Sequence, residues 1–173
     1  RDVLTGRQLL EAKNYHLTTA KEVNSNIITG ESIALQNSVG DYVYLRRLLL
    51  PSLLKNLHEN QHHEYPQNLF ELGRVFEKDS ATETGIQEIE HLGVVLCQEK
   101  ADFTMIRQVL DVLFASLGTA FSVKESSRRG FIEGRAAEII LQGKSIGIIG
   151  EIHPEVLEYW ELTMPVVALE LDI

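Results

Sequence analysis

Phe131-Ile-Glu-Gly-Arg-Ala-Ala-Glu-Ile-Ile-Leu-Gln-Gly-Lys-Ser-Ile-Gly-Ile-Ile-Gly-Glu-Ile-His-Pro154, followed by Leu162-Thr-Met-Pro-Val-Val-Ala-Leu-Glu170, is the stretch on which the fold turns. Gln142-Gly143-Lys144 is turn chemistry between two apolar runs, so 135–150 reads as a hairpin. Pro154 suits the first turn of a short helix, because the N–H it lacks is not needed there. Residues 166–172 then read as a closing strand.

Upstream, apolar residues at helical spacing predict a helix over 2–14, with Asp2 as its cap. Short strands are expected at 15–20 and 33–36, separated by the turn residues Asn24-Ser25-Asn26 and Thr29-Gly30-Glu31. A loop around Asn37-Ser38-Val39-Gly40-Asp41 leads to Tyr42–Leu50. A helix is expected from Pro51 to about His62, finished before Pro66. Residues 69–76 alternate as a strand, the polar tract 77–90 reads as a loop, and 91–97 reads as a strand. Asp102 caps a helix carrying Ile106, Val109, Leu110, Leu113, Phe114 and Leu117, stopped by Gly118. A further strand is expected at 120–125. Clustered strands with few βαβ alternations define an α+β class with a mainly antiparallel sheet flanked by helices.

The 173 residues suit one domain, 1–173, and no apolar run reaches the roughly 18 residues of a membrane span. The chain opens on Arg1-Asp2 without signal-peptide architecture and reads as a piece of a longer protein. Cys97, the single cysteine, stands in an apolar strand as a packing residue, which fits a reducing compartment. The formal charge of −9, from 16 basic and 25 acidic residues, argues against a solitary nucleic-acid binder, since phosphate contacts require Lys and Arg. The basic doublets Arg46-Arg47 and Arg128-Arg129 are too short to form a patch.

Three local patterns suggest chemistry. His58-Glu59-Asn60-Gln61-His62 matches H-E-x-x-H, in which two histidines on one helix hold zinc and the glutamate acts as base. A third ligand is lacking, for Tyr65 stands where the extended motif needs glycine. Gly143-Lys144-Ser145 resembles the end of a P-loop, but Glu138 replaces the first glycine and the context is a hairpin. His153-Pro154-Glu155 reads as a strand-to-helix junction. Arg135, beside Gly134, is expected to pair with a carboxylate or to cap carbonyls, with substrate binding as the lesser alternative.

The spaced segments Leu45-Arg46…Leu49-Leu50-Pro51-Ser52-Leu53-Leu54, Leu69-Phe-Glu-Leu-Gly-Arg-Val-Phe76, Phe131…Gly134-Arg135-Ala136 and Gly150-Glu-Ile-His-Pro154 run through most of the chain. In this order they resemble the C-terminal catalytic-like domain of phenylalanyl-tRNA synthetase β subunits, of archaeal and eukaryotic type. Asn37-Ser38 departs from the Asn-Pro of many members. The resemblance implies a class II synthetase catalytic-like fold. Class II catalysis uses an arginine in an aromatic-Arg-x-acid motif and another in a Gly-rich Glu-Arg segment. Here Gly73 precedes Arg74, Glu77 is one position too far along, and the second segment is absent.

The resemblance therefore implies no catalytic, cofactor-binding or metal-binding residues in this domain. ATP and Mg²⁺ belong to the parent complex. It further implies a cytoplasmic α2β2 heterotetramer, with an α subunit and a second β subunit as partners and tRNA reached through the complex. Val3, Leu9 and Leu10, on the opening helix, are the expected subunit interface. Arg46, Pro51, Gly134, Arg135, His153 and Pro154 are the expected structural signature. The alternatives are an active class II-like ATP-dependent ligase and a zinc hydrolase using His58 and His62.

Overall fold

Chain order is α1 (Asp2–Gly6), β1 (Leu10–Glu11), β2 (Leu17–Thr19), α2 (Ala20–Val23), β3 (Ile33–Ala34), β4 (Tyr42–Leu45), α3 (Leu50–Glu59), β5 (Gln67–Lys78), β6 (Ile86–Cys97), α4 (Phe103–Ser116), β7 (Ser122–Glu125), β8 (Phe131–Leu141), β9 (Lys144–Ile152), α5 (Pro154–Tyr159) and β10 (Val166–Asp172). The computed structural model describes residues 1–28, 30–38 and 40–173. Thr29 and Val39, which the sequence places in a turn and a loop, lie outside the described residues.

One sheet has the strand order β1-β5-β6-β10-β9-β8-β7, and a small one has the order β2-β4-β3. Every pairing in the large sheet is antiparallel except that of the edge strand β1, which runs parallel to β5. The hairpin read from the sequence is present: Gln142 and Gly143, both at positive φ, turn β8 into β9.

Strand alternation sends successive side chains to opposite faces. One face presents Phe70, Val94, Val167, Leu169 and Ile149 to α4 residues Ile106, Leu110 and Phe114, with Leu4 and Leu9 joining them. The other presents Val95, Cys97, Ala136, Ile148 and Ala168 to Leu50, Leu53, Leu54 and Leu57 of α3, and to Val156 and Trp160. Small residues on this second face let α3 come close. A Cβ at Gly93 would stand 2.9 Å from Leu49 Cβ and 3.0 Å from Leu53 Cδ1, inside contact distance.

The start of α3 has no side-chain cap of its own, since Leu49 occupies the cap position. Glu170, buried on β10, supplies one from across the fold. It accepts from the Leu49 N–H at 2.9 Å and the Leu50 N–H at 3.0 Å. His91 Nδ1 on β6 lies 2.7 Å from the same carboxylate. A negative charge against a helix N-terminus is favourable, and burial strengthens it.

Four readings are corrected. The helix expected over 2–14 stops at Gly6, and Gln8 turns the chain at φ 64. Leu10 and Glu11 then pair with Leu69 and Phe70, so tertiary strand pairing overrides local helical spacing. The expected cap Asp2 is the first helical residue, after Arg1. Half of the polar tract 77–90 is strand and only 79–85 is loop: β5 and β6 stay paired out to Lys78↔Ile86, with solvated polar side chains on the extension. The α3 helix begins one residue before Pro51 and ends at Glu59, short of His62.

Glu170→Ala leaves three donors of α3 and β6 without their acceptor, and should destabilise the chain by about 2–4 kcal/mol in urea denaturation. A second prediction concerns Cys97, whose thiol burial pushes up from its ordinary 9.0 to about 11. The unfolded chain therefore ionises first. This contribution to stability is complete below about pH 9 and lost as pH rises towards 11. The denaturation midpoint should fall across that window more steeply in the wild type than in Cys97→Ala.

Candidate functional site

Arg46 leaves the end of β4 and lies beneath β5, only 1% exposed. Its Nη1 donates to Glu71 Oε1 at 2.7 Å, and its Nε donates to the Arg74 carbonyl oxygen at 2.7 Å. Glu71 is equally buried and also accepts from the Asn14 side-chain amide at 2.7 Å and the Asn14 backbone N–H at 3.2 Å. Gly73 makes room, because a Cβ there would run into Arg46 Nη2. The cluster ties the opening segment, β4 and β5 together through Arg46 Nη1 and Nε, while Arg46 Nη2 is buried without a hydrogen-bond partner among the described residues.

Arg74, the residue comparable with a phosphate-clamping arginine, projects into solvent. Its Nη1 donates to Glu88 at 2.6 Å and its Nε donates to Glu90 at 3.0 Å, both on the neighbouring strand. The hydrogen bonds that it donates to Glu90 and Glu88 raise its pKa, so it is held as a cation with its charge already answered twice. Arg135 donates to Glu151 at 2.7 Å across β8 and β9. Glu151 also accepts from the Phe103 N–H at the start of α4, at 3.1 Å. The carboxylate partner expected for Arg135 is thus present, with the arginine side chain 62% exposed. Between β5 and β8 lie β6, β10 and β9, which separates the two arginines by about 19 Å at normal strand spacing. They cannot meet on one phosphate.

His153 caps α5: its Nδ1 accepts from the Glu155 N–H at 3.2 Å, and Pro154 fills the first helical position. Gly134, at φ 75, sits in the irregularity where β8 shifts register against β9. Pro51 lies in the first turn of α3. Gly143-Lys144-Ser145 runs strand–turn–strand, with no helix to face a phosphate.

The histidine pair is split by the end of α3. His58 remains on the helix, with Nδ1 3.2 Å from Gln61 Nε2 and 3.7 Å from a Glu161 oxygen. His62 lies beyond the helix end, its ring centroid 4.1 Å from that of His63. Among the described residues no three or more His, Cys, Asp or Glu side chains are gathered as a metal site.

The expected interface residues also separate. Leu9 is 4% exposed and belongs to the core, Val3 is half-buried, and Leu10 is 69% exposed on the edge strand. Placing Leu9 and Leu10 on one helix is therefore corrected: as neighbours beside and in a strand, they face opposite ways. Sequence reading did not single out the buried carboxylates Glu71 and Glu170. The available signal was a lone charge inside an apolar strand, as in Val166-Val-Ala-Leu-Glu-Leu171.

These observations define the class first. Pyrrolysyl tRNA synthetase PylSc of Desulfitobacterium hafniense shares the fold, with a TM-score of 0.77 and 15% identity over 99% of this chain and 62% of that one. The fold is that of class II tRNA synthetases. Within that class, the family model for the phenylalanyl tRNA synthetase beta chain CLM domain matches residues 1–173, and the chain belongs to this family. Phenylalanine–tRNA ligase beta subunits of Thermococcus sibiricus and Pyrococcus furiosus are each 40% identical to it over 99% of its length. The chain spans 31% of the length of either relative.

The contrast between the two arginines is measurable. Arg46→Ala strands the Glu71 carboxylate in the interior and should cost about 3–5 kcal/mol in chemical denaturation. Arg135→Ala breaks a solvated pair and should leave the denaturation midpoint near that of the wild type.

Proposed function

We propose that this chain is a non-catalytic assembly domain within the β subunit of a phenylalanine–tRNA ligase. The observation that carries the reading is the state of Arg74 and Arg135. Each is neutralised by its own carboxylates, and they stand far apart in the sheet, so charge developing on an ATP α-phosphate would find no paired clamp. In this reading residues 1–173 act as one catalytic-like unit. The partner α subunit attaches phenylalanine to tRNA in a cytoplasmic α2β2 assembly, and ATP and Mg²⁺ are bound by the complex outside this domain. Arg46, Pro51, Gly134, Arg135, His153 and Pro154 serve the fold.

The opening segment is the proposed subunit contact, with its emphasis moved to Leu10 and Val3. Leu10 offers exposed apolar area on the open edge of β1, beside a cleft of about 500 Å³ that also includes Asn56, His63 and Pro66. Exposed strand edges and apolar side chains are natural places for a partner to add. Leu9 faces inward and supports the segment from below.

Leu10→Asp in the full β subunit should weaken assembly with α in sedimentation velocity while the melting temperature holds. Leu9→Asp should unfold the domain instead. Intact assembly of the Leu10→Asp protein would place the contact elsewhere. The β subunit without α should support no phenylalanine-dependent ATP–pyrophosphate exchange. Exchange that disappears in Arg74→Ala would establish an active ligase in its place.

A further inference from the structure

The turn that joins β7 to β8, Ser126-Ser-Arg-Arg-Gly130, borders a polar cleft of about 320 Å³ shared with the start of β8 and the start of α5. Three hydrogen bonds fix the turn. The Gly130 carbonyl oxygen accepts from the His153 N–H at 2.9 Å, and the Arg128 carbonyl oxygen accepts from the Phe131 N–H at 3.3 Å. Arg129 Nη2 donates to Asn26 Oδ1 at 2.6 Å, which straps the turn to the segment after α2. Gly130, at φ 90, is seated where a Cβ would run into the buried Ile27.

This cleft gathers polar side chains that the fold does not use. Arg128 is half-buried, yet its guanidinium has no hydrogen-bond or ion-pair partner among the described residues. Arg1, Arg46, Arg74, Arg107 and Arg135, by contrast, each hold a carboxylate. The exposed Ser127 hydroxyl is likewise without a partner among the described residues. His153 spends its Nδ1 as acceptor for the Glu155 N–H at 3.2 Å, which places the ring proton on Nε2 and leaves that N–H free to donate. Its side chain is 40% exposed, so the donor is accessible. Glu133 and Glu155 also border the cleft; both are exposed, and neither pairs with Arg128.

We propose that this cleft binds a phosphate group, free or as the head of a small monoester, with the Arg128 guanidinium as principal contact and the Ser127 hydroxyl and His153 Nε2–H as further donors. A guanidinium presents its N–H groups as a rigid fork that matches two oxygens of one oxyanion. A phosphate has a third terminal oxygen left for the remaining donors, whereas a carboxylate has only two in all. The tethered turn holds Arg128 in place beforehand, so little backbone ordering is left for the ligand to bring about. Glu133 and Glu155 oppose the anion from exposed positions where solvent screens them. They keep the site weak, and neutralising them strengthens it. The site is independent of the assembly role proposed above and uses neither Arg74 nor Arg135.

The isotope-labelled chain is titrated with inorganic phosphate, phenyl phosphate and acetate at constant ionic strength, and binding is read from backbone amide shifts and by calorimetry. Saturable one-to-one binding of either phosphate at millimolar concentration is expected, with shifts centred on Ser127–Gly130 and His153 and with acetate weaker. The two phosphates separate a free ion from an ester. Arg128→Ala should keep the melting temperature and weaken binding about tenfold, as expected for loss of a charge-assisted hydrogen bond. Arg128→Lys, which keeps the charge and loses the fork, should fall between. Glu133→Gln combined with Glu155→Gln should tighten binding severalfold. Arg7→Ala removes an exposed guanidinium outside the cleft and should change nothing. The proposal fails if neither phosphate saturates at millimolar concentration, if acetate binds as tightly, if the shifts centre elsewhere, or if Arg128→Ala binds no more weakly than Arg7→Ala.

Discussion

A carboxylate sealed inside a protein must be met by donors, and the way Glu170 is met organises this molecule. Two of its donors are the backbone N–H groups that open α3, and the third is His91 on the adjacent strand. The central strand of the sheet thereby caps a helix more than a hundred residues earlier in the chain. With its N-terminus pinned, α3 lays Leu50, Leu53, Leu54 and Leu57 along one sheet face, where Gly93, Ala136 and Ala168 leave room for it. The geometry is mutually dependent: the close approach makes the hydrogen bonds short, and the hydrogen bonds offset the cost of burying the charge.

The same logic of local compensation runs through the basic residues. In a chain with a net charge of −9, Arg1, Arg46, Arg74, Arg107 and Arg135 each lie against a carboxylate. An arginine so engaged can recognise a phosphate only by displacing the carboxylate it already holds. A fold of the class II synthetase type thus carries, at its prominent arginines, charges that are spent on holding strands and segments together. Arg46 does so in the interior and Arg74 and Arg135 at the surface, which is why the former is bound up with stability and the latter two contribute little to it.

The second half of the chain was legible because its local signals agree. Alternation, the Gln142-Gly143 turn, the Pro154 helix start and the Asp102 cap each specify one conformation, and none is contested by a distant partner. The opening segment was not legible in the same way. Leu4, Leu9 and Leu10 have helical spacing, yet β5 offers Leu10 and Glu11 a strand to pair with, and that edge pairing, anchored by the buried Leu9, outweighs a weak local preference. The extension of β5 and β6 was hidden for a related reason. Polar residues such as Glu88 and Glu90 look like loop until the partner arginine opposite them is known.

What the amino-acid sequence determined by itself was the α+β class, the order of most elements, and the family, since spaced motifs such as Leu45-Arg46…Pro51 and Phe131…Gly134-Arg135 survive in linear order. Only the tertiary structure decided what those residues do. That Arg46 is buried on Glu71 while Arg135 is exposed on Glu151, or that Glu170 serves α3, depends on which strands become neighbours. Charge pairing acts through space over a few ångströms, and residues brought that close by the sheet lie tens of positions apart along the chain.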